Sequence, residues 1–228
     1  MFLNARDIGI KQMDHAFDHV VVAEIDHVLL DPHDRKLETY LKLGWDRESA
    51  EAFLAVKSNW SLVASFNTPT ISFTSSSRIN RFVEVFNSEE MLALDRPLPG
   101  AVEAFNSLKE RCGLVVLTTR EESLKEPTVA KLSELGFDLD GVELHFKRQF
   151  EVAERFRTTT LKEVRESLGG GTAALVTHLP DDFRLTRRFQ FLPVAITTTH
   201  SPEDFPDGAR AFDSWEEAVN YLGGKTEI

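Results

Sequence analysis

A chain of 228 residues can bury one full core, or one core domain with a smaller companion. Its net charge of −11 argues against a sequence-independent nucleic-acid binder, which needs a basic face to neutralise phosphates. No apolar run approaches the roughly 18–20 residues of a membrane span, the first residues lack a leader pattern, and the single Cys112 rules out an intrachain disulfide or a thiolate metal cluster.

Those exclusions leave a globular protein without a membrane partner, expected in the cytoplasm. From Val20 the run Val-Val-Val-Ala-Glu-Ile is short and rich in β-branched residues, the signature of a buried parallel strand. The segment 31–96 follows. Helical patterning around 37–43 and 50–56, a Ser/Thr-rich stretch and a helix around 79–86 fill it. About 65 residues is far too long for a strand-to-helix loop, so the segment is an inserted substructure. Trp45, Trp60, Phe66, Phe73, Phe82 and Phe86 supply its small core. Arg78 and Arg81 stand near the start of its last helix, where backbone N–H groups and guanidinium forks both favour an anion.

Beyond the insertion, strand-like runs recur at 113–117, 142–146, 173–176 and 193–197. Ala101, Phe105, Leu108 and Cys112 form one face of the first intervening helix. Val129, Leu132 and Leu135 mark a second helix, closed by Gly136 as a left-handed cap. Leu161, Val164 and Leu168 mark a third, ended by Gly169-Gly170-Gly171. Ser214 and Glu217 make a capping-box pattern ahead of Trp215, Ala218, Val219 and Leu222. Strands alternating with helices predict a mainly parallel α/β sheet covered on both faces, with ligands beyond the carboxyl ends of its strands. Three polar clusters lie at such ends: Glu24-Ile25-Asp26, Thr118-Thr119-Arg120 and His178-Leu179-Pro180-Asp181-Asp182.

In that order and placement the clusters, with Pro97-Leu98-Pro99-Gly100 leading into the second strand, resemble the haloacid dehalogenase superfamily across nearly all of residues 18–223. The resemblance implies a Rossmann-like sheet of order 5-4-1-2-3 and a core domain at 1–30 and 97–228. Residues 31–96 would form a mainly helical cap domain. It also implies roles. The family's first motif, Asp-x-Asp-Gly-Thr, matches Glu24 to Val28, so Glu24 takes the nucleophile position with one extra methylene and Asp26 the acid/base position. His27 replaces the glycine and Val28 the hydroxyl. Thr118, with Thr119 beside it, matches the residue that holds the phosphoryl group. Arg157 matches the cationic third motif, with Lys147 and Lys162 as rivals. Glu24, the Asp26 carbonyl, and Asp181 or Asp182 match the Mg²⁺ ligands, but His178 falls where the leading acid belongs. Imidazole is a poor ligand for Mg²⁺, which prefers hard oxygens in octahedral geometry.

A transition-metal site is a further idea, because His15, His19, His27 and His33 lie among acidic residues; strand alternation sends His19 and His27 to different depths. The expectation is a haloacid dehalogenase-like protein with altered motifs, a pseudophosphatase that binds or assembles with a protein partner or a small phosphorylated ligand. The alternatives are a Mg²⁺-dependent phosphohydrolase with a Glu nucleophile and a structural subunit of a larger complex.

Overall fold

The computed structural model describes residues 18–56 and 76–226. Strand β1 (His19–Glu24) leads through a tight turn to β2 (Leu30–Asp31). Helices α1 (His33–Lys42), α2 (Arg47–Leu54), α3 (Ser76–Phe86) and α4 (Glu89–Leu92) follow, and β3 (Arg96–Pro97) returns antiparallel to β2. The remainder alternates: α5 (Ala101–Lys109), β4 (Gly113–Glu121), α6 (Lys125–Glu134), β5 (Glu143–Lys147), α7 (Ala153–Ser167), β6 (Thr172–Thr177), α8 (Phe183–Phe189), β7 (Leu192–Ile196), β8 (Arg210–Phe212) and α9 (Trp215–Thr226).

Six strands form one parallel sheet in the order β5-β4-β1-β6-β7-β8. Its first five strands have the expected order, read from the β7 side. The sixth is an addition. Arg210, Ala211 and Phe212 are too few to announce a strand by pattern, and pairing with β7 makes them one.

The period of two along each strand divides the core between the faces of the sheet. Val21, Ala23, Leu114, Val116, Ala174 and Val176 pack on the side of α5 and α9. Val20, Val22, Val115, Leu117, Ala173 and Leu175 pack on the other, against Phe156, Leu161 and Val164 of α7. Glu24 and Thr177 continue the second set by the same parity. The register Ala23↔Val176 makes them neighbours on adjacent strands, on the face that α7 covers.

The helices between β2 and β3 have their own core of Tyr40, Ala50, Leu54, Phe82 and Phe86, with Trp45 and Phe53 packed at its edge. Helix α3 starts at Ser76, three residues before the helix expected around 79–86. Trp60, Phe66, Phe73 and the Arg78 side chain lie outside the described residues, as do His15 and the rest of the first 17. No helix among the described residues is long and apolar enough to cross a membrane.

The turn after β1 is anchored from three directions. The His27 amide donates to the Leu30 carbonyl at 2.8 Å, Thr198 donates to the His27 carbonyl at 2.7 Å, and the Trp215 indole donates to the Val28 carbonyl at 2.5 Å. Trp215 is almost wholly buried beneath that turn. We therefore expect Trp215→Phe, which keeps most of the packing, to cost about 1–2 kcal/mol, and Trp215→Ala about 3–5 kcal/mol. Urea unfolding of the two variants measures the gap, and equal losses would show that the indole hydrogen bond contributes nothing.

Candidate functional site

Strand parity sends Glu24 toward α7, and the helical spacing Arg157, Leu161, Val164 points Arg157 back at it. The guanidinium meets Glu24 Oε1 at 2.8 Å and approaches Asp182 Oδ1 at 3.6 Å. The Thr177 hydroxyl lies between the same carboxylates, 2.6 Å from Glu24 Oε2 and 3.0 Å from Asp182 Oδ2, and accepts from the Leu179 amide. His178 Nδ1 stands 3.4 Å from Glu24 Oε2. Burial alone would raise the Glu24 carboxyl. The Arg157 charge, with His178 and Thr177 beside it, outweighs burial and holds the group at about 2. Asp182 goes the other way, raised to about 6 by burial and by the Glu24 charge. One hydroxyl proton cannot serve two carboxylates, so the proton that Asp182 gains near pH 6 suits its contact with Thr177.

A second ionic cluster lies deeper, between the sheet and α1. Arg120 Nε meets Asp26 Oδ2 at 3.1 Å, and its Nη2 meets Asp26 Oδ1 at 2.7 Å and Asp95 Oδ2 at 2.6 Å. Arg35, from α1, pairs with Asp26 Oδ1 and, through Nε, with Asp95 Oδ1 at 3.1 Å. Its guanidinium carbon sits 3.9 Å above the Phe86 ring. Burial would raise Asp26, but Arg120 and Arg35 together hold its carboxyl well below the usual range. Asp95, in the same company but more isolated from water, is raised by burial to about 6.

The expected residues are thus sorted by geometry. Glu24, Arg157 and Asp182 come together. Asp26 lies at the same sheet edge but belongs to the second cluster. Thr118 is buried within β4, three residues before its end, and its Oγ1 accepts from the Arg120 amide at 3.2 Å; Thr119 is partly exposed. Of the two candidate trailing acids, the single turn Pro180–Asp182 turns Asp182 inward and leaves Asp181 exposed. Asp182 makes no side-chain cap to α8, because that side chain is spent on Thr177 and Arg157. Arg81 is exposed on α3. Among the rival cations, Lys147 pairs with Glu121 and Lys162 with Glu166. His19 bonds Thr172 at the opposite end of β1 from His27.

Arg120, Arg35, Asp95, Thr177 and Lys36 were given no role by sequence reasoning. Thr177 could have been found from its parity with Glu24. His27 replaces a glycine in the motif it resembles, yet adopts φ 63°, the left-handed conformation glycine takes freely and other residues reach at a cost of roughly 1–2 kcal/mol. Its ring packs 4.9 Å from that of His178, and burial with the neighbouring His178 and Lys36 charges pushes it well below the ordinary imidazole range.

A divalent cation does not fit these donors as they stand. Both Glu24 oxygens are engaged, Asp182 is shared between Thr177 and Arg157, and the neighbouring His178 offers an imidazole rather than a hard oxygen. Among the described residues, no three acidic or imidazole groups are placed to hold a metal.

Lys36 is buried on α1, and its Nζ has no hydrogen-bond partner among the described residues. Burial, with Arg35 alongside, lowers its pKa from 10.5 to about 7. Between those values the unfolded chain binds the extra proton, so the handicap of burying this amine is full below about pH 7 and vanishes above about 10.5. Lys36→Met should therefore stabilise the protein by about 1 kcal/mol or more at pH 6.5, with the gain fading toward pH 10. Urea melts across that range check it, and a loss of stability at pH 6.5 would contradict the placement.

No family model and no curated protein matches the chain. Solved structures do. A haloacid dehalogenase-like family hydrolase from Streptococcus pneumoniae is 18% identical, with a TM-score of 0.62 over 89% of this chain and 97% of that one. A hydrolase of the same superfamily, subfamily IA, from Geobacter sulfurreducens is 19% identical, at 0.57 over 92% and 99%. CbbY from Rhodobacter sphaeroides, in complex with phosphate, is 18% identical, at 0.54 over 87% and 95%. At these identities the likeness establishes the fold.

Proposed function

We propose that this chain, which has the haloacid dehalogenase-like fold, is a catalytically silent counterpart of the phosphatases built on it and serves as a binding or assembly component. The observation that carries this reading is the state of Asp26. A general acid/base must exchange a proton near the working pH. Asp26 is instead gripped by two guanidiniums, one of them through two nitrogens, and stays ionised far below neutrality. Glu24 is ionised as a nucleophile must be, but both its oxygens are occupied by Arg157 and Thr177. In-line attack tolerates little misplacement, since about 1 Å can cost a hundredfold.

On this reading the helices of 31–96 act as a cap fastened over the cleft, and cleft or cap is the contact surface for a protein partner or a small phosphorylated ligand, in the cytoplasm. Mg²⁺ has no part in it. The competing reading is a Mg²⁺-dependent phosphohydrolase in which Glu24 attacks phosphorus, Thr118, Thr119 and Arg157 hold the phosphoryl group and Asp182 holds the metal. The two readings separate in one assay. With Mg²⁺ and a generic phosphomonoester we expect turnover at least a thousandfold below the enzyme median of ~10 s⁻¹. Ordinary turnover, abolished by Glu24→Gln, would establish the hydrolase instead.

A further inference from the structure

The outer strand of an open sheet carries unpaired backbone groups and is a template for another strand unless something blocks it. Strand β5 ends the sheet on one side, pairs only with β4, and is separated by β4 from β1 and the cleft. Among the described residues no other backbone hydrogen bond reaches 143–147. Alternate residues of a parallel strand turn amide and carbonyl away from the neighbour, so this edge offers both.

The strand reads Glu143-Leu144-His145-Phe146-Lys147. Charged residues usually guard an edge against association. Here the two charges are opposite in sign and equidistant from His145, and the two apolar residues are likewise symmetric about it. Identical copies paired antiparallel about a dyad at His145 set Glu143 of each against Lys147 of the other, and Leu144 against Phe146. A slip of one residue would oppose Glu143 to Phe146, so the pattern discriminates between neighbouring registers. Both charges are held in place within the chain, Glu143 by His145 at 2.6 Å and Lys147 by Glu121 at 3.3 Å. The loop that follows carries Phe150, 91% exposed and in left-handed backbone, and Val152, 66% exposed. Among the described residues only Val56 joins them as a large apolar side chain left in solvent.

We propose that the free edge of β5 is a self-association surface: two copies of this chain add their β5 strands antiparallel about His145, joining two six-stranded sheets into one, with Phe150 and Val152 at the rim of the contact. Two such short strands bury less than the roughly 1,200–2,000 Å² of a standard stable interface. The dimer is therefore reversible, with a dissociation constant in the micromolar range. It uses none of Glu24, Asp26 or Arg157, so it stands whether or not the cleft is silent.

Sedimentation velocity on the full chain from about 1 to about 200 µM tests it, and the parent should pass from monomer to dimer across that range. Glu143→Lys and Lys147→Glu should each weaken the dimer at least about tenfold, because the dyad turns one reversal into two like-charge pairs. Mixed in equal amounts, the two variants should pair with each other, since one then presents two bases at these positions and the other two acids. A parent that stays monomeric at about 200 µM overturns the proposal and leaves the edge to a strand of another protein. A parental dimer indifferent to both reversals, or a mixture that associates no better than its components, overturns it as well. Should Lys147→Glu fail to fold for want of its pair with Glu121, hydrogen exchange of the parent decides. The amides of 143–147 should then exchange more slowly at high protein concentration than at low, and equal rates would contradict the pairing.

Discussion

Arg120 ends the second strand of the sheet with its guanidinium almost completely buried, one nitrogen shared between Asp26 and Asp95 and another committed to Asp26 alone. Everything at the carboxyl edge is arranged around this grip. Asp26 belongs to the turn after β1, Asp95 to the return from α4, and Arg35, which closes the ring, to α1. One buried network therefore joins the sheet to the helices between β2 and β3. Such networks add little net stability compared with an apolar core of the same volume. Removing one member, however, strands the others and costs about 3–5 kcal/mol. The interaction thus fixes position more than it adds stability, and what it fixes includes the Asp26 carboxylate at the turn after β1.

Two clusters, one principle. Arg120 and Arg35 neutralise Asp26 and Asp95; Arg157 neutralises Glu24 and approaches Asp182. In each, arginine holds one carboxylate, Asp26 or Glu24, ionised, while burial raises the neighbouring Asp95 or Asp182 to about 6. Desolvation strengthens each pairing, because a charge removed from water depends more on its partner. A cleft that supplies its own cations has little attraction left for a soluble one.

The sheet was largely legible in the sequence because a buried parallel strand announces itself by a short β-branched run and a polar end. Arg157 was legible for a related reason, since Leu161 and Val164 extend its face of the helix. The network around Arg120 was not. Its partners lie 94 and 25 positions away, and Arg35 sits in an insertion whose docking no periodicity encodes. Likewise, the choice between Asp181 and Asp182 depends on a single helical turn, and the left-handed backbone of His27 on hydrogen bonds from distant Thr198 and Trp215-anchored neighbours. Local pattern reached the strand ends; long-range pairing decided what the side chains there do.

The central claim is that internal arginines keep Glu24 and Asp26 permanently ionised, and carboxyl-carbon NMR reads that state atom by atom. In a ¹³C titration from about pH 8 down to about pH 4, with Glu24→Gln and Asp26→Asn used for assignment, both carbons should hold the carboxylate shift throughout. Asp95 and Asp182 should move with midpoints near 6 in the same spectra. If Asp26 or Glu24 instead takes up a proton between about pH 5 and pH 8, where a working general acid titrates, the account is wrong.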